Sequence, residues 1–503
     1  MPWPARRRGA AGILACLSLA ACATDRLALA PATPDRPWQI PKSFDLPVPG
    51  SHPAAAGEAV PAVPDDETAV TLSRGNAVPV ERDRRYDLAA LIDLAQRNNP
   101  ETREAWERAR QAALAVGLAE TSYVPQIAAE IVGGFQHTPL PIPSNLIARG
   151  WFTSDTREVV PMLTAKWLLF DFGQRDSTVE AAQATSFVAD VAFTGAHEKL
   201  IFAVSKAYFA IGATRGRLHV AEQALKSAEI VEDAVASKRA HQLATVVELA
   251  QAKRQTAQAR FNLEHAKGAD NAAYSTLVAA IGVAPDAPIQ IADSSEKPLP
   301  PAPAGDVDQL VRDALSARPD IVAAFGKLHA AQATLRGAEA TYYPTIGLEA
   351  QAYQNFGGLS SDGSRYFTVN EPGASILVKV SLPLFDGGAR EARISAAHSQ
   401  VAEARHALDQ SQDEATQQVT DAYDSLHTGF AEFEASLAVI QAAETAYDAA
   451  LDAYRHGVGT YTDLANTETA LSQARSAKED AHATVFTAAA ALAFSTGAIL
   501  SQP

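Results

Sequence analysis

One register runs through this chain twice. Phe170, Asp171, Tyr208 and Gly282 recur 215 positions later as Phe385, Asp386, Tyr423 and Gly497. Nearer the N-terminus the offset is 219, so that Pro100, Glu120, Tyr123 and Pro125 return as Pro319, Glu339, Tyr342 and Pro344. A repeat of this kind constrains the fold before any local reading, because each copy must adopt the same unit. The order within a copy is short helix, helix, Tyr-x-Pro, strand, loop, strand, Leu-Phe-Asp, long helix, helix. The four-residue change in offset falls between the two strands, where a loop absorbs length most easily.

The long helices follow from what is missing. Leu169-Phe170-Asp171-Phe172-Gly173 opens a run without proline as far as Pro285, and Leu384-Phe385-Asp386-Gly387-Gly388 opens another as far as Pro503. In the second run Ala415, Val419, Ala422, Leu426, Phe430, Phe433, Leu437, Ile440, Tyr447, Leu451 and Tyr454 follow steps of three and four, with one gap at Glu444. That spacing is a packing stripe of coiled-coil type. A helix over 390–455 is about 100 Å long at about 1.5 Å per residue, well beyond one domain diameter. Aromatic residues are only 7% and much of the 47% hydrophobic content is alanine, so the helices bundle closely and bury little area each. Short helices open each copy, starting near Tyr86 and Val307.

Between Tyr-x-Pro and Leu-Phe-Asp the apolar period changes to two. Ile127, Ala129, Ile131, Gly133 and Phe135 alternate with Glu130 and Gln136; Leu163, Ala165, Trp167 and Leu169 alternate with Thr164 and Lys166. In the second copy Ile346, Leu348, Ala350 and Ala352 alternate with Glu349, Gln351 and Tyr353, and Ile376, Val378, Val380 and Leu382 with Ser375, Lys379 and Ser381. The expected loops are 137–155 and 357–372. Each strand is expected to be about ten residues long, the length of a tilted strand crossing a bilayer with its apolar face to lipid. The edge of a soluble sandwich alternates in the same way. Four strands cannot close a barrel, and open edges are not tolerated in lipid. If these strands span a membrane, several chains must pool them, and three chains give about twelve strands, inside the known range.

The N-terminus reads as an export signal: Arg6-Arg7-Arg8, an apolar stretch from Ala10 to Ala21 too short to span, then Leu19-Ala20-Ala21-Cys22. The last four residues resemble a bacterial lipobox, with cleavage before Cys22 and lipidation of its thiol. The alternative is ordinary cleavage after Ala21 with a free Cys22. Ala23 stands where an aspartate would resemble an inner-membrane retention signal, which directs the lipidated end to the outer membrane. Asp25 to Pro79 is proline-rich and aperiodic and reads as an extended tether, with Trp38-Gln39-Ile40-Pro41 a candidate docking point. The expected division is 1–21 signal peptide, 22–85 tether, 86–290 first repeat and 305–497 second repeat. Cys16 and Cys22 are the two cysteines, so the mature chain has no disulfide framework, and the scattered histidines form no metal motif. A net charge of −16 argues against nucleic acid as a partner.

Taken together, the lipobox, the two-fold repeat, Tyr-x-Pro before each strand pair, Leu-Phe-Asp-Gly-Gly after it, and Tyr454-x-x-Gly457 before Asp463-Leu464 resemble the TolC-like outer-membrane factors. The resemblance covers roughly Tyr86 to Gly497. It implies a mainly α fold with a small β part: two repeats of coiled-coil helices plus a β-hairpin, with a homotrimer forming a 12-stranded outer-membrane barrel on a helical periplasmic tunnel. It implies an exit duct of a tripartite efflux pump, not an enzyme and without cofactor. Its partners are a periplasmic adaptor (membrane fusion) protein, an inner-membrane pump and outer-membrane lipid. Small toxic molecules are the expected cargo, with type I protein secretion or metal efflux as alternatives and a non-conducting coiled-coil lipoprotein as a third. Matched residue by residue, the periplasmic aperture takes Tyr454, Asp463 and Asn466, with Glu248 and Gln251 in the corresponding places of the first repeat. Two departures stand out. Asn466 neutralises a position often aspartate, and Gly459 occupies one that can be a latch arginine. Asp463 has a second reading, as a solvated helix residue or an N-cap-like turn residue near Thr462.

Overall fold

The computed structural model describes residues 25–38 and 84–501, apart from 144, 147, 285, 286, 288, 295, 296 and 303–305. The signal, Cys22 and most of the tether, including Gln39-Ile40-Pro41, lie outside the described residues. In chain order the elements are β1 (Arg85–Tyr86), α1 (Leu88–Asn98), α2 (Pro100–Glu120), β2 (Gln126–Pro141), β3 (Trp151–Phe170), α3 (Gln174–Ala240) and α4 (Val246–Ile281). Then come β4 (Gln290–Ile291), α5 (Val307–Ala317), α6 (Pro319–Ala340), β5 (Thr345–Ser361), β6 (Phe367–Ser381), α7 (Ala389–Arg455) and α8 (Tyr461–Ser495).

The two halves repeat the same order. α3 and α7 are each 67 residues, about 100 Å at about 1.5 Å per residue. Each starts after a glycine in the left-handed region, Gly173 at φ +92° and Gly388 at φ +87°, where a side chain would be strained. α3 packs on α4, α7 on α8, and α8 also lies along α3. Where α1 meets the middle of α3 and the end of α4, Leu91, Leu94, Val204, Tyr208, Ile211, Leu277 and Ile281 belong to the largest buried cluster among the described residues. The stripe on α7 is buried at Ala415, Val419, Ala422, Leu426 and Tyr454, but Gly429 and Ser436 replace Phe430 and Leu437 as its most buried members. The phase drifts because 3.6 residues per turn does not divide the heptad evenly.

Two local expectations are corrected. Tyr86 does not open a helix; it lies in β1, paired in parallel with Ile291 of β4. The helix starts after Asp87, whose carboxylate accepts from Ala90 N at 2.9 Å. The second helix begins at Pro100, capped by Asn99, and ends at Glu120, with a 3-10 turn over Thr121–Tyr123. The strands are 15 to 20 residues long, not about ten, and take in most of the expected loops. Cross-strand pairing continues through Pro139, Pro141 and Pro372, so proline did not mark the loop ends.

The strands form one antiparallel sheet in the order β2-β3-β5-β6. Register assigns its faces. Ile127 pairs with Ala165, Ala350 with Ala165 and Ile376 with Ala350, giving one apolar row; Ala129, Leu163, Ala352 and Ala374 give the next. Gln126, Lys166 and Glu349 line up on the opposite face, where Lys379 reaches Glu349 at 3.5 Å. The apolar face is bare: Ile131 is 75% exposed and Ile376 74%.

Residues 25–38 are strapped to the body. Arg26 Nε meets Glu120 Oε2 at 2.6 Å, Trp106 Nε1 donates to Pro31 O at 2.7 Å, and Thr194 Oγ1 donates to Trp38 O at 2.8 Å. Trp38 stands edge-on to Phe187. His197, fully buried beneath the strap, is pushed down to about 4 by burial, partly offset by the Pro34 carbonyl and Asp35.

Candidate channel wall and aperture

The motifs that bracket each strand pair meet at the junction of sheet and helix. Asp171 accepts from Arg175 N at 2.9 Å and from its Nε at 3.1 Å. The same guanidinium donates to Leu168 O at 2.6 Å and Leu169 O at 3.1 Å, and lies over the Tyr123 ring. Tyr123 OH donates to Asp176, and Trp167 Nε1 donates to Tyr123 O. The second half repeats this with Asp386, Arg390, Tyr342 and Glu391. Tyr-x-Pro and Phe-Asp are therefore the two sides of one clamp, which satisfies the last strand carbonyls and the first helical amides together.

At the other end of the long helices the two helix pairs are pinned by an aromatic cluster. Tyr454 and Tyr461, ring centroids 6.2 Å apart, pack with Val231, Val235, Ala252 and Leu464. Burial raises the Tyr454 phenol, with a smaller push from Glu248. Lys238 Nζ sits 4.1 Å from the centre of the Tyr454 ring and donates to Tyr454 O at 3.2 Å. Gly459 has no room for a side chain: a Cβ there would stand 2.9 Å from that of Ala453. The turn is built on a small residue, and the cation at this seam is Lys238 from α3.

Glu248 and Asp463 occupy the same position, the third residue of α4 and of α8. Thr245 and Glu248 form a reciprocal capping box. Thr460 Oγ1 accepts from Asp463 N at 3.1 Å and donates to its Oδ2 at 2.7 Å. Asp463 is thus a residue of the first helical turn, with Thr460 as the cap and no turn at Thr462, and such a cap contributes about 1 kcal/mol. The Asp463 carboxylate is still exposed and Glu248 half-exposed. One turn further on, Gln251 is half-buried and Asn466 exposed. Asn466 lines a groove of ≈ 610 Å³ between α3, α4 and α8, with Arg217, Arg254, Glu468 and Asp480.

Sequence reasoning missed three participants. Lys238 gave no signal because the repeat places Ala453 at its counterpart. Tyr461 falls outside the coiled-coil stripe. Glu468 is 8% exposed, its Oε1 has no hydrogen-bond partner among the described residues, and burial pushes it up to about 7. Glu468 also lines a second cavity of ≈ 250 Å³ with Tyr447, Asp448 and Arg475. Among the described residues no helix is long and apolar enough to cross a membrane, and no group of ligands could hold a metal ion.

A bare-faced, open-edged sheet clamped to helices about 100 Å long is a segment of a channel wall rather than a catalytic body. Residues 91–283 and 310–498 match the family described as outer membrane efflux protein. The chain is similar to protein CyaE of Bordetella pertussis, 31% identical over 78% of this chain and 80% of that one. It is also similar to outer membrane protein OprJ of Pseudomonas aeruginosa, 26% identical over 67% and 68%. Among solved structures, the Campylobacter jejuni CmeC outer membrane channel shares the fold, with a TM-score of 0.71 at 17% identity over 88% of this chain and 94% of that one. The chain belongs to the outer membrane efflux protein family. It is an outer-membrane efflux channel of tripartite pump systems, a transport protein and not an enzyme.

Proposed function

We propose that three copies pool their sheets into one 12-stranded barrel and their helices into one periplasmic tunnel, forming a passive exit duct for small toxic molecules. The observation that carries this is the sheet itself. Among the described residues β2 and β6 each present an unpaired edge, and nothing covers the apolar face. Open strand edges cannot stand in lipid, so the edges must pair with other copies. A periplasmic adaptor and an inner-membrane pump supply contact and energy at the end defined by Tyr454, Asp463, Asn466, Glu248 and Gln251. There Lys238 on Tyr454 holds the two helix pairs together, and three Asp463 carboxylates ring the opening and favour cations.

Lipidation of Cys22 fits the strap. Arg26 is tied to Glu120, just before the sheet begins, and Cys22 precedes Arg26 by four residues in the sequence. Acyl chains at that position can enter the inner leaflet beside the barrel. The cargo reading rests on this lipoprotein start. It is tested by deleting the gene: sensitivity to toxic compounds is expected, whereas periplasmic retention of a secreted protein with unchanged sensitivity would transfer the duct to protein export. The mass of the purified particle tests assembly, with three chains expected and one chain contradicting the pooled barrel.

A further inference from the structure

We infer that the outer rim of the sheet carries a binding site for the phosphate of an outer-leaflet lipid headgroup, built on Arg157 and Arg365. This rests on the sheet being the membrane wall. Arg157 lies in β3 on the same face as Val159, Leu163 and Trp167, the apolar face. It is directly paired with Phe135, and its guanidinium lies 5.7 Å from that ring centre and 4.5 Å from the centre of Tyr366. The neighbour across the other side is Gly358, and a Cβ there would stand 3.3 Å from Tyr366 Cδ1. The glycine lets the tyrosine ring lie against the sheet, and the arginine is held between two aromatic faces.

The level of this clamp matches a membrane boundary. From Arg157 to Trp167 the strand advances ten positions, about 34 Å, which at a tilt near 40° gives about 26 Å along the normal; an outer-membrane barrel presents an apolar band about 25 Å tall between aromatic girdles. Trp167 then marks the inner girdle, and Phe135 and Tyr366 the outer one. An arginine on the lipid face is tolerated at that height and costly deeper.

Several other charges near the rim pair with one another. Arg149 pairs with Asp362, and Asp155 with His137. Among the described residues neither Arg157 nor Arg365, the exposed residue before Tyr366, is paired with a carboxylate. A guanidinium held on an apolar wall, with a second arginine one residue before Tyr366, suits a ligand with a phosphate above and acyl chains below. Val159, Phe356 and Ile131 continue that wall downward, which favours a lipid over a free ion.

The test is native mass spectrometry of the detergent-solubilised trimer with lipid A and with its dephosphorylated form. Each cation near an anionic headgroup is worth about fivefold in affinity, so R157Q and R365Q should each bind lipid A about fivefold more weakly and the double variant about 30-fold. R157K should retain most of the affinity. Dephosphorylated lipid A should bind all five proteins alike, and inorganic phosphate should not compete. Equal binding of lipid A by wild type and double variant, or displacement by inorganic phosphate, would overturn the site. R365Q, outside the ring clamp, keeps the test open if R157Q misassembles. A chain that is monomeric and soluble without detergent would instead remove the membrane wall.

Discussion

Replacing Glu468 with glutamine should stabilise the protein at alkaline pH and leave it unchanged in acid. The carboxyl ordinarily titrates near 4.5, and burial in the folded chain pushes it up to about 7. The folded state therefore holds a proton that the unfolded state has released. Below 4.5 both states are protonated and there is no penalty. Between 4.5 and about 7 stability falls as pH rises, and above about 7 the full penalty applies. The interval corresponds to about 3 kcal/mol. Glutamine keeps the shape and removes the charge. Asp190 and Glu198, each pushed up to about 8 by burial, titrate in wild type and variant alike and cancel in the comparison. The assay is the thermal midpoint of both proteins at about pH 4.5 and about pH 8.5, with a gap that opens only at the higher value. A gap of the same size at both values, or none at either, would refute burial as the cause.

Other perturbations act at the two ends. Arg175→Ala leaves Asp171, 5% exposed, without its counter-charge and with only the residue-175 amide; a loss of about 3 kcal/mol is expected, read as loss of heat-resistant oligomer on gels. Lys238→Ala removes the cation from the Tyr454 ring, worth about 0.5–2 kcal/mol, and should raise single-channel conductance in planar bilayers; unchanged conductance would take Lys238 out of the seam. Asp463→Asn should weaken cation preference, measured as reversal potential under a salt gradient, and an unchanged potential would place Asp463 away from the pore. Cys22→Ser should abolish acylation, and an intact-mass spectrum still showing acyl chains would contradict the lipobox.

The repeat, the helix lengths and the sheet faces were legible because each rests on periodicity. Helix α7 runs from Ala389 to Arg455, as the proline-free stretch and its stripe require. The clamp residues were visible as motifs, but their reason was not. Asp171 and Tyr123 lie 48 positions apart, and only the fold brings Arg175 to both. Strand length was misjudged because polar residues and prolines at 137–141 and 151–155 look like loop, whereas above a bilayer a strand faces water on both sides and loses its apolar signal. The β1–β4 pair is two residues on each strand and carries no pattern at all. Lys238 and Glu468 are ordinary surface types by composition; what singles them out is a ring beneath one and burial around the other.

The pooled barrel is tested most directly by disulfide scanning between the two open edges. In one chain β2 and β6 are separated by β3 and β5, about 14 Å at about 4.8 Å per strand, too far for an internal bond. Cysteines are placed in pairs along Glu130 to Phe135 and Ala374 to Val380, in a chain with Cys22 replaced by serine. The expected result is a covalent ladder that stops at three chains for one set of registers. Absence of any cross-link between chains, at every register and with the protein in the membrane, would contradict a shared barrel.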